Sequence, residues 1–532
     1  MPDEITIVGS GAAGVAAALG FVDRGITPTI VDVGIDAPQD TAIRGNFYDN
    51  LRQNDLFDVM IGQGYERVRA KSRRAPPVPA KLSAPRIQFV TRDADRLRPL
   101  RQRDFAPVRS FSAGGLANAW GAGLYRAADH DLNGFPIRAT DLDRHFDRLT
   151  VEIGISGESD DLATFFGSTE GLQPPLRLSR KSRSLLNAYC RRRFAFNAAG
   201  FFLGRPRLGV LSRPLGDRAA CDYSNREFWE PNLPFVYTPR WTLNRLIEQK
   251  RVVYRKGLLV DSWSRESERI VVHATDLAAG SSLSLSTRVL ILAAGAIESG
   301  RLALASRGDC RTRLALLDNR AVQFPLVLPW YIGSVLETDC FGLTQLNIVY
   351  KAAEYDSPLQ ASILEITSPS KSEFFAALPL AARDNLRMIR HLVPAMLVLQ
   401  LFFPAGLEQA AEMSLDADGT LRIETARPSV DHEVCGRVIG LLRRLGALTH
   451  RALLVMPTPG QQGIHYAATL PMSDDGGPYK CDRFCQLRGE PNVYVVDGAA
   501  LPRLPAKNCS FLMMANAMRV AHHLADRQGN ET

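Results

Sequence analysis

Gly9, Gly11 and Gly14 follow the apolar run Ile5-Thr6-Ile7-Val8 and precede an alanine-rich stretch, Val15 to Asp23. A strand, then G-x-G-x-x-G, then a helix is the arrangement that holds a dinucleotide pyrophosphate. Gly9 allows the tight turn, Gly11 lets the backbone approach the phosphates, and Gly14 lets helix lie on strand. The helix start, with Ser10 and Ala13 around it, offers unpaired N–H groups and a partial positive charge. Asp32 follows about 20 residues later, near the end of a second strand, where an acid can hydrogen-bond a ribose hydroxyl. The motif alone does not choose between FAD and NAD.

Other chemistries leave no comparable mark. There is no GxSxG, HExxH or GxxxxGK[ST] pattern. Of the eight cysteines only Cys481 and Cys485 lie close in sequence, and no histidine cluster completes a ligand set, so no metal site is expected. The net charge of +8 over 532 residues is a mild bias. Its densest basic run, Arg67 to Arg103, is broken by Pro76, Pro77, Pro79 and Pro85. It reads as a solvated loop, not as a nucleic-acid face. No secretory signal is visible, and the longest apolar run, Leu392 to Gly406, is interrupted by Pro394, Gln400 and Pro404. A cytoplasmic protein with no nucleic-acid partner and no stable membrane insertion is expected.

The elements that must position these groups are partly legible. Residues 4–34 read as a βαβ unit closed by Gly25. Residues 35–105 show weak periodicity until the alternating stretch Arg86 to Val90. Residues 140–153 read as a helix capped by Thr140, with Asp143 in the capping box and Leu142, Phe146, Leu149 and Ile153 as its apolar stripe. Arg288 to Gly295 is a strand apolar enough to be buried on both faces. Further strands are expected at Gln323–Trp330, Gln345–Lys351, Gln360–Ile366 and Met396–Phe403. Met413–Leu415 and Leu421–Thr425 flank Asp418-Gly419 as a hairpin.

Four further segments resemble the glucose–methanol–choline (GMC) oxidoreductases. They are Gly114-Gly115-Leu116-Ala117-Asn118-Ala119-Trp120-Gly121-Ala122-Gly123, and Phe135-Pro136-Ile137 with Gly154-Ile155-Ser156-Gly157. The others are Leu292-Ala293-Ala294-Gly295-Ala296-Ile297-Glu298-Ser299, and Asn492-Val493-Tyr494-Val495-Val496-Asp497-Gly498 followed by Pro502 and Asn508. The resemblance implies an α/β fold in which a Rossmann-like FAD-binding domain (1–134, 241–310 and 460–532) is interleaved with a mixed or antiparallel-sheet substrate domain (135–240 and 311–459). It implies FAD contacts from Gly114, Gly115, Asn118, Ala119, Trp120, Gly121, Val260, Ala294, Gly295, Glu298, Gly498, Asn508 and Ser510. Asp497 would hold the ribityl chain or phosphates near the terminal helix, Ser510 to Leu524. Family members that tether FAD do so through a histidine where this chain has Ala119, so non-covalent FAD is expected.

His465 lies in Gly463-Ile464-His465-Tyr466-Ala467-Ala468-Thr469, similar to the family's segment bearing the active-site histidine, with Ala468 where glycine is usual. Asn508 falls where members carry histidine or asparagine. The implied reaction is oxidation of an alcohol carbon to a carbonyl. Hydride passes to the flavin, and His465, whose type titrates in a suitable range, takes the hydroxyl proton. Asparagine cannot be the base, but its amide can hold the substrate oxygen. The other histidines, including a solvated His522-His523 pair, have no such role. Gln345, Asn347 and Gln400 break apolar strands and suggest a sugar-like polyol substrate. The electron acceptor is O₂ or another molecule. A redox-silent lyase, a scaffolding flavoprotein and an enzyme of lipid-like alcohols are the alternatives, the last motivated by Phe374–Leu380 and Leu392–Phe403.

Overall fold

The structure is a computed structural model that describes residues 3–39, 58, 62, 81–366, 381–425 and 431–531. Three sheets carry the fold. In the first, the order is Val253–Lys256, Thr29–Asp32, Asp3–Val8, Ser281–Leu292, Arg269–Asp276 and Leu258–Glu266, with Val493–Val495 also pairing with Ser281–Leu292. The strands around Asp3–Val8 are parallel, in register Ile5 with Val289 and Ile7 with Ile291. Both faces of these strands are covered, and Ile5, Ile7, Val289, Leu290 and Ile291 are buried, as their unbroken apolar sequence requires.

The first helix, Ala12–Asp23, is buried along almost its whole length because the terminal helix, Ser510–Glu531, packs on it. Gly20 makes that approach feasible: a Cβ there would lie 2.9 Å from Cβ of Ala521. The expected helix over 140–153 begins later, at Asp143, after a 3₁₀ turn at Ala139–Asp141 that absorbs Thr140. Gly154, at φ +74°, ends it. The alternating stretch at 86–90 is not a strand. Pro85 opens a 3₁₀ helix, Pro85–Val90, at the position where its missing N–H costs nothing.

The second sheet is antiparallel, in the order Ala321–Val327, Met396–Phe402, Leu359–Glu365, Thr344–Tyr350 and Phe201–Gly204. One face packs on the helices Arg180–Cys190 and His432–Arg444, through residues such as Phe324, Leu399, Ile363 and Val438. The third sheet joins Tyr466–Ala467, Leu314–Asp318, Ala411–Leu415, Leu421–Glu424 and Leu100–Arg103. It contains the expected hairpin, with Gly419 at φ +79°.

The basic run is less solvated than its composition suggests. Arg86 is buried against Glu230, Arg98 pairs with Asp261, and Lys81 donates to the Trp120 carbonyl at 2.8 Å. Arg67, Arg73 and Arg74 lie outside the described residues, as does Phe374–Leu380. Among the described residues no helix is long and apolar enough to cross a membrane, and no group of His, Cys, Asp or Glu could hold a metal.

Candidate active site

One cavity of about 770 Å³ runs from the glycine turn to His465 and Asn508. Its first wall is the turn itself. Gly9 sits at φ +99°, and a Cβ there would lie 2.6 Å from the Ala293 carbonyl oxygen. A Cβ on Gly14 would lie 2.0 Å from the Gly9 oxygen. Gly11 meets nothing within 4 Å. Two glycines are therefore demanded by packing, and the third keeps a clear approach to the helix start, where N–H groups have no intrahelical partner.

Asp32 lines the same cavity and accepts hydrogen bonds from Ser10 N (3.2 Å), Ser10 Oγ and Tyr254 OH (3.3 Å). Burial raises its pKa to about 6 against the pull of these donors. Ser10 Oγ also accepts from Gly114 N at 3.2 Å, so the second glycine loop docks on the first. A Cβ on Gly115 would touch Gly11 Cα at 3.3 Å.

Asn118 is a clamp inside that loop. Its amide donates to Ala113 O (2.8 Å) and Gly115 O (2.9 Å) and accepts from Arg240 Nε (2.7 Å). Gly14, Gly114 and Asn118 thus shape the wall without lining it, whereas Ser10, Ala13, Gly115, Ala119, Trp120, Gly121, Val260, Ala294, Gly295, Glu298, Gly498 and Ser510 line it. Asp497 lines it too, but its carboxylate is occupied by Gly295 N (2.8 Å), Ser299 Oγ (2.5 Å) and Ala499 N (2.8 Å). It ties two turns together beside the cavity, with Oδ1 accepting a single hydrogen bond.

Glu298 accepts from Arg301 Nε at 2.8 Å and lies 3.6 Å from Arg109. Burial alone would raise its pKa; Arg301 and Arg109 outweigh that and lower it. Its Oε1 and Nη1 of Arg109, which face each other across that 3.6 Å, are buried and make no hydrogen bond. Together with the open Gly11 approach, they make the cavity fit an elongated polar cofactor such as FAD.

At the far end stands His465. Its Nδ1 is 3.0 Å from Oδ1 of Asn319. The Asn319 amide nitrogen donates to the carbonyls of Phe403 (2.9 Å) and Pro505 (3.0 Å), so its oxygen must face the imidazole. Nδ1 therefore carries the proton, and Nε2 is the free base. Burial lowers the His465 pKa to about 4, so the ring is neutral at physiological pH. Asp318 secures the backbone behind it, accepting from Gly460 N (3.0 Å) and His465 N (3.4 Å), and burial raises its pKa to about 7. Gly463 lets Asn319 approach: a Cβ there would lie 2.9 Å from Asn319 Cβ. Ala468 stands at φ +69°, a left-handed conformation that suits the glycine it replaces. Asn508 faces Gly123, where a Cβ would come within 2.8 Å of its amide nitrogen.

Sequence reasoning missed Asn319, Asp318, Arg109 and Lys81. Lys81 lines the cavity with its Nζ on the Trp120 carbonyl, and burial lowers its pKa to about 8. Of the three residues proposed to contact substrate, Gln400 lines the cavity. Gln345 is bonded to Ser179 and Phe341, and Asn347 to Tyr125, Ala361 and Ser362, so both serve the protein. His522 is buried against His145 with ring centroids 5.1 Å apart, and His523 stacks on Phe484 at 3.9 Å, so that pair is not solvated as expected.

Comparison with known proteins places these observations. No curated protein matches the sequence. Among solved structures, the crystal structure of pyridoxine 4-oxidase from Mesorbium loti is similar over 100% of this chain and 99% of its own, with a TM-score of 0.59 and 14% identity, a likeness of fold. Residues 451–517, which hold His465, Asp497 and Asn508, match the family model described as GMC oxidoreductase. The family match thus covers the segment that carries His465, Asp497 and Asn508, and the likeness to the oxidase extends the agreement of fold over the whole chain.

Proposed function

We propose that the chain oxidises the CH–OH carbon of a small alcohol to a carbonyl, using FAD held without a covalent bond. The observation that carries this reading is a single cavity joining the dinucleotide turn to an imidazole whose Nδ1 is committed to Asn319. The Gly9–Gly14 turn, Ser10 and Asp32 would hold the dinucleotide end. Gly115, Ala119, Trp120, Gly121, Val260, Ala294, Gly295, Glu298, Gly498 and Ser510 would line the rest. When bound, FAD supplies the hydride acceptor.

The chain's own residues handle the proton. Nε2 of His465 takes it from the substrate hydroxyl as the C–H bond breaks, leaving an imidazolium. General-base assistance of this kind is worth about 10²–10⁴-fold. Asn319 keeps the ring in the tautomer that can accept. Asn508 offers an amide to the substrate oxygen without competing for the proton. Ala119 has no nucleophilic atom, which supports a non-covalent cofactor. The domain division at 134, 240, 310 and 459 is part of the same reading.

The test is anaerobic mixing of the yellow protein with sugars, aminosugars and aliphatic and aromatic alcohols while following the flavin band near about 450 nm. Bleaching by one class establishes alcohol oxidation, and admitting air then separates an O₂-using oxidase from a dehydrogenase. Turnover with the band unchanged overturns the redox reading in favour of a lyase.

A further inference from the structure

The register of the second sheet puts three polar side chains in one row. Gln323 pairs with Gln400 and Gln400 with Ser362, so all three point to the same face of adjacent strands. All three line the cavity. In strands that are otherwise buried, Gln323, Pro325, Val327, Val398 and Gln400 are only partly so, which marks their face as the open one.

The neighbouring rows differ in character. Two residues along the central strand in one direction is Phe402, whose ring centroid lies 5.9 Å from that of His465. Two residues in the other direction, Pro325, Val398 and Leu364 form an apolar row. The polar row thus begins roughly 7 Å beyond the catalytic end, at about 3.4 Å per residue.

The hydrogen bonds already made define what each group still offers. Nε2 of Gln400 donates to the Gln462 carbonyl at 3.1 Å, leaving its carbonyl oxygen as an acceptor and its second N–H as a donor. The Gln462 side chain is itself held, accepting from Ala321 N (3.1 Å) and donating to Pro457 O (3.0 Å). The Ser362 hydroxyl accepts from Asn347 at 3.2 Å, leaving its proton to donate. An acceptor and a donor side by side, with no charged side chain in either row, complement a group that both donates and accepts. That group is an uncharged hydroxyl.

We infer that Gln323, Gln400 and Ser362 form a subsite for a second hydroxyl of the substrate, with the apolar row beyond it limiting polarity further along. This rests on the alcohol-oxidation reading and narrows it. The substrate is a diol or polyol whose second hydroxyl lies about five bonds from the oxidised carbon, at ~1.5 Å per C–C bond.

The test compares holoenzyme rates of anaerobic flavin bleaching for matched series. These are n-alkyl alcohols, the diols with a hydroxyl at that spacing, their methyl ethers, and counterparts carrying a carboxylate or ammonium there. We expect the diol to exceed the alkyl alcohol by about tenfold, the worth of one or two good hydrogen bonds, with the ether between them and the charged compounds below the diol. Gln323→Leu and Gln400→Met should each bring the diol-to-alkyl ratio to within about threefold of one. Gln323→Leu decides the matter should Gln400→Met lose FAD. Equal rates for diols and alkyl alcohols, a charged compound that outpaces the diol, or an unchanged ratio in the variants that retain FAD would overturn the subsite. Absence of bleaching by any alcohol would instead sink the oxidation reading, and the subsite with it.

Discussion

Oδ1 of Asn319 lies 3.0 Å from Nδ1 of His465, and the asparagine amide is itself locked by two backbone carbonyls. The pair sets which imidazole nitrogen is free to act. Replacing His465 with Ala should keep FAD bound and lower kcat by about 10²–10⁴-fold. Asn319→Leu, which leaves the base present but its tautomer unspecified, should cost about 10- to 100-fold in kcat with a smaller change in KM. Steady-state kinetics on the FAD-replete proteins checks both, and an unaltered kcat in either variant counts against its role.

The pH profile follows from the same pair. Burial holds His465 near pKa 4, so the imidazole is deprotonated, and competent as a base, at every pH well above that. kcat/KM should lose its acid limb near pH 4, not near the ordinary imidazole value of about 6.5. Asn319→Asp places a carboxylate beside Nδ1, favours the imidazolium, and should move that limb upward by about one to two units. A limb that stays in place would show that another group controls it.

Gly11 and Gly14 should separate binding from folding. A methyl at Gly11 meets open space, whereas one at Gly14 collides with the Gly9 carbonyl. Gly11→Ala should leave the thermal midpoint of the apoprotein unchanged and weaken FAD retention by about tenfold or more, because the methyl occupies the pyrophosphate approach. Gly14→Ala should lower the apoprotein midpoint as well, at a cost of about 1–3 kcal/mol or more for overpacking. Equal midpoints for the two variants would contradict the assignment.

The cofactor should leave with acid. Precipitated protein should be colourless and the supernatant yellow, since Ala119 stands where a tethering histidine would. A yellow pellet argues for a covalent bond elsewhere in the wall.

His145 supplies a test of stability. Its ring is fully buried, and burial, reinforced by His522, lowers its pKa to about 3. In the unfolded chain it titrates near about 6.5. The folded state binds the proton more weakly, so the stability present above pH 6.5 is lost as pH falls toward 3. The slope is about 1.4 kcal/mol per unit for one group. Between pH 7.5 and 5 the protein should lose about 2 kcal/mol more than His145→Phe does, measured from urea midpoints. Parallel losses would place the acid sensitivity in other groups.

What the sequence made legible was local. The glycine turn and the strands of the second sheet announce themselves by spacing or by unbroken apolar runs, and their bounds agree to within a few residues, whereas the strand read at Arg288–Gly295 begins seven residues earlier, at Ser281, because its first half is exposed and polar. His465 and Asn508 were legible because they sit in short patterns that resemble the family. Asn319 had no such pattern. It follows the strand Leu314–Asp318, and only the antiparallel pairing of Tyr466 with Asp318 brings it to His465. Gln345 and Asn347 misled for the same reason. A polar residue in an apolar strand looks functional until Ser179 and Tyr125, far away in sequence, are found to satisfy it. The 3₁₀ helix at Pro85–Val90 was obscured by alternation, which two turns of 3₁₀ helix can mimic.

The first sheet has a consequence for how the molecule is made. Its opening strand, Asp3–Val8, lies between Thr29–Asp32 and Ser281–Leu292, and the last strand, Val493–Val495, joins only when nearly all of the chain exists. The helix that covers Ala12–Asp23 comes later still. During synthesis the N-terminal βα unit therefore leaves the ribosome with an unpaired edge and an uncovered apolar helix, and must wait for its partners. A nascent chain of this topology cannot finish one domain before starting the next. Burial of Ala12–Asp23 therefore waits for Ser510–Glu531, long after the glycine turn has emerged.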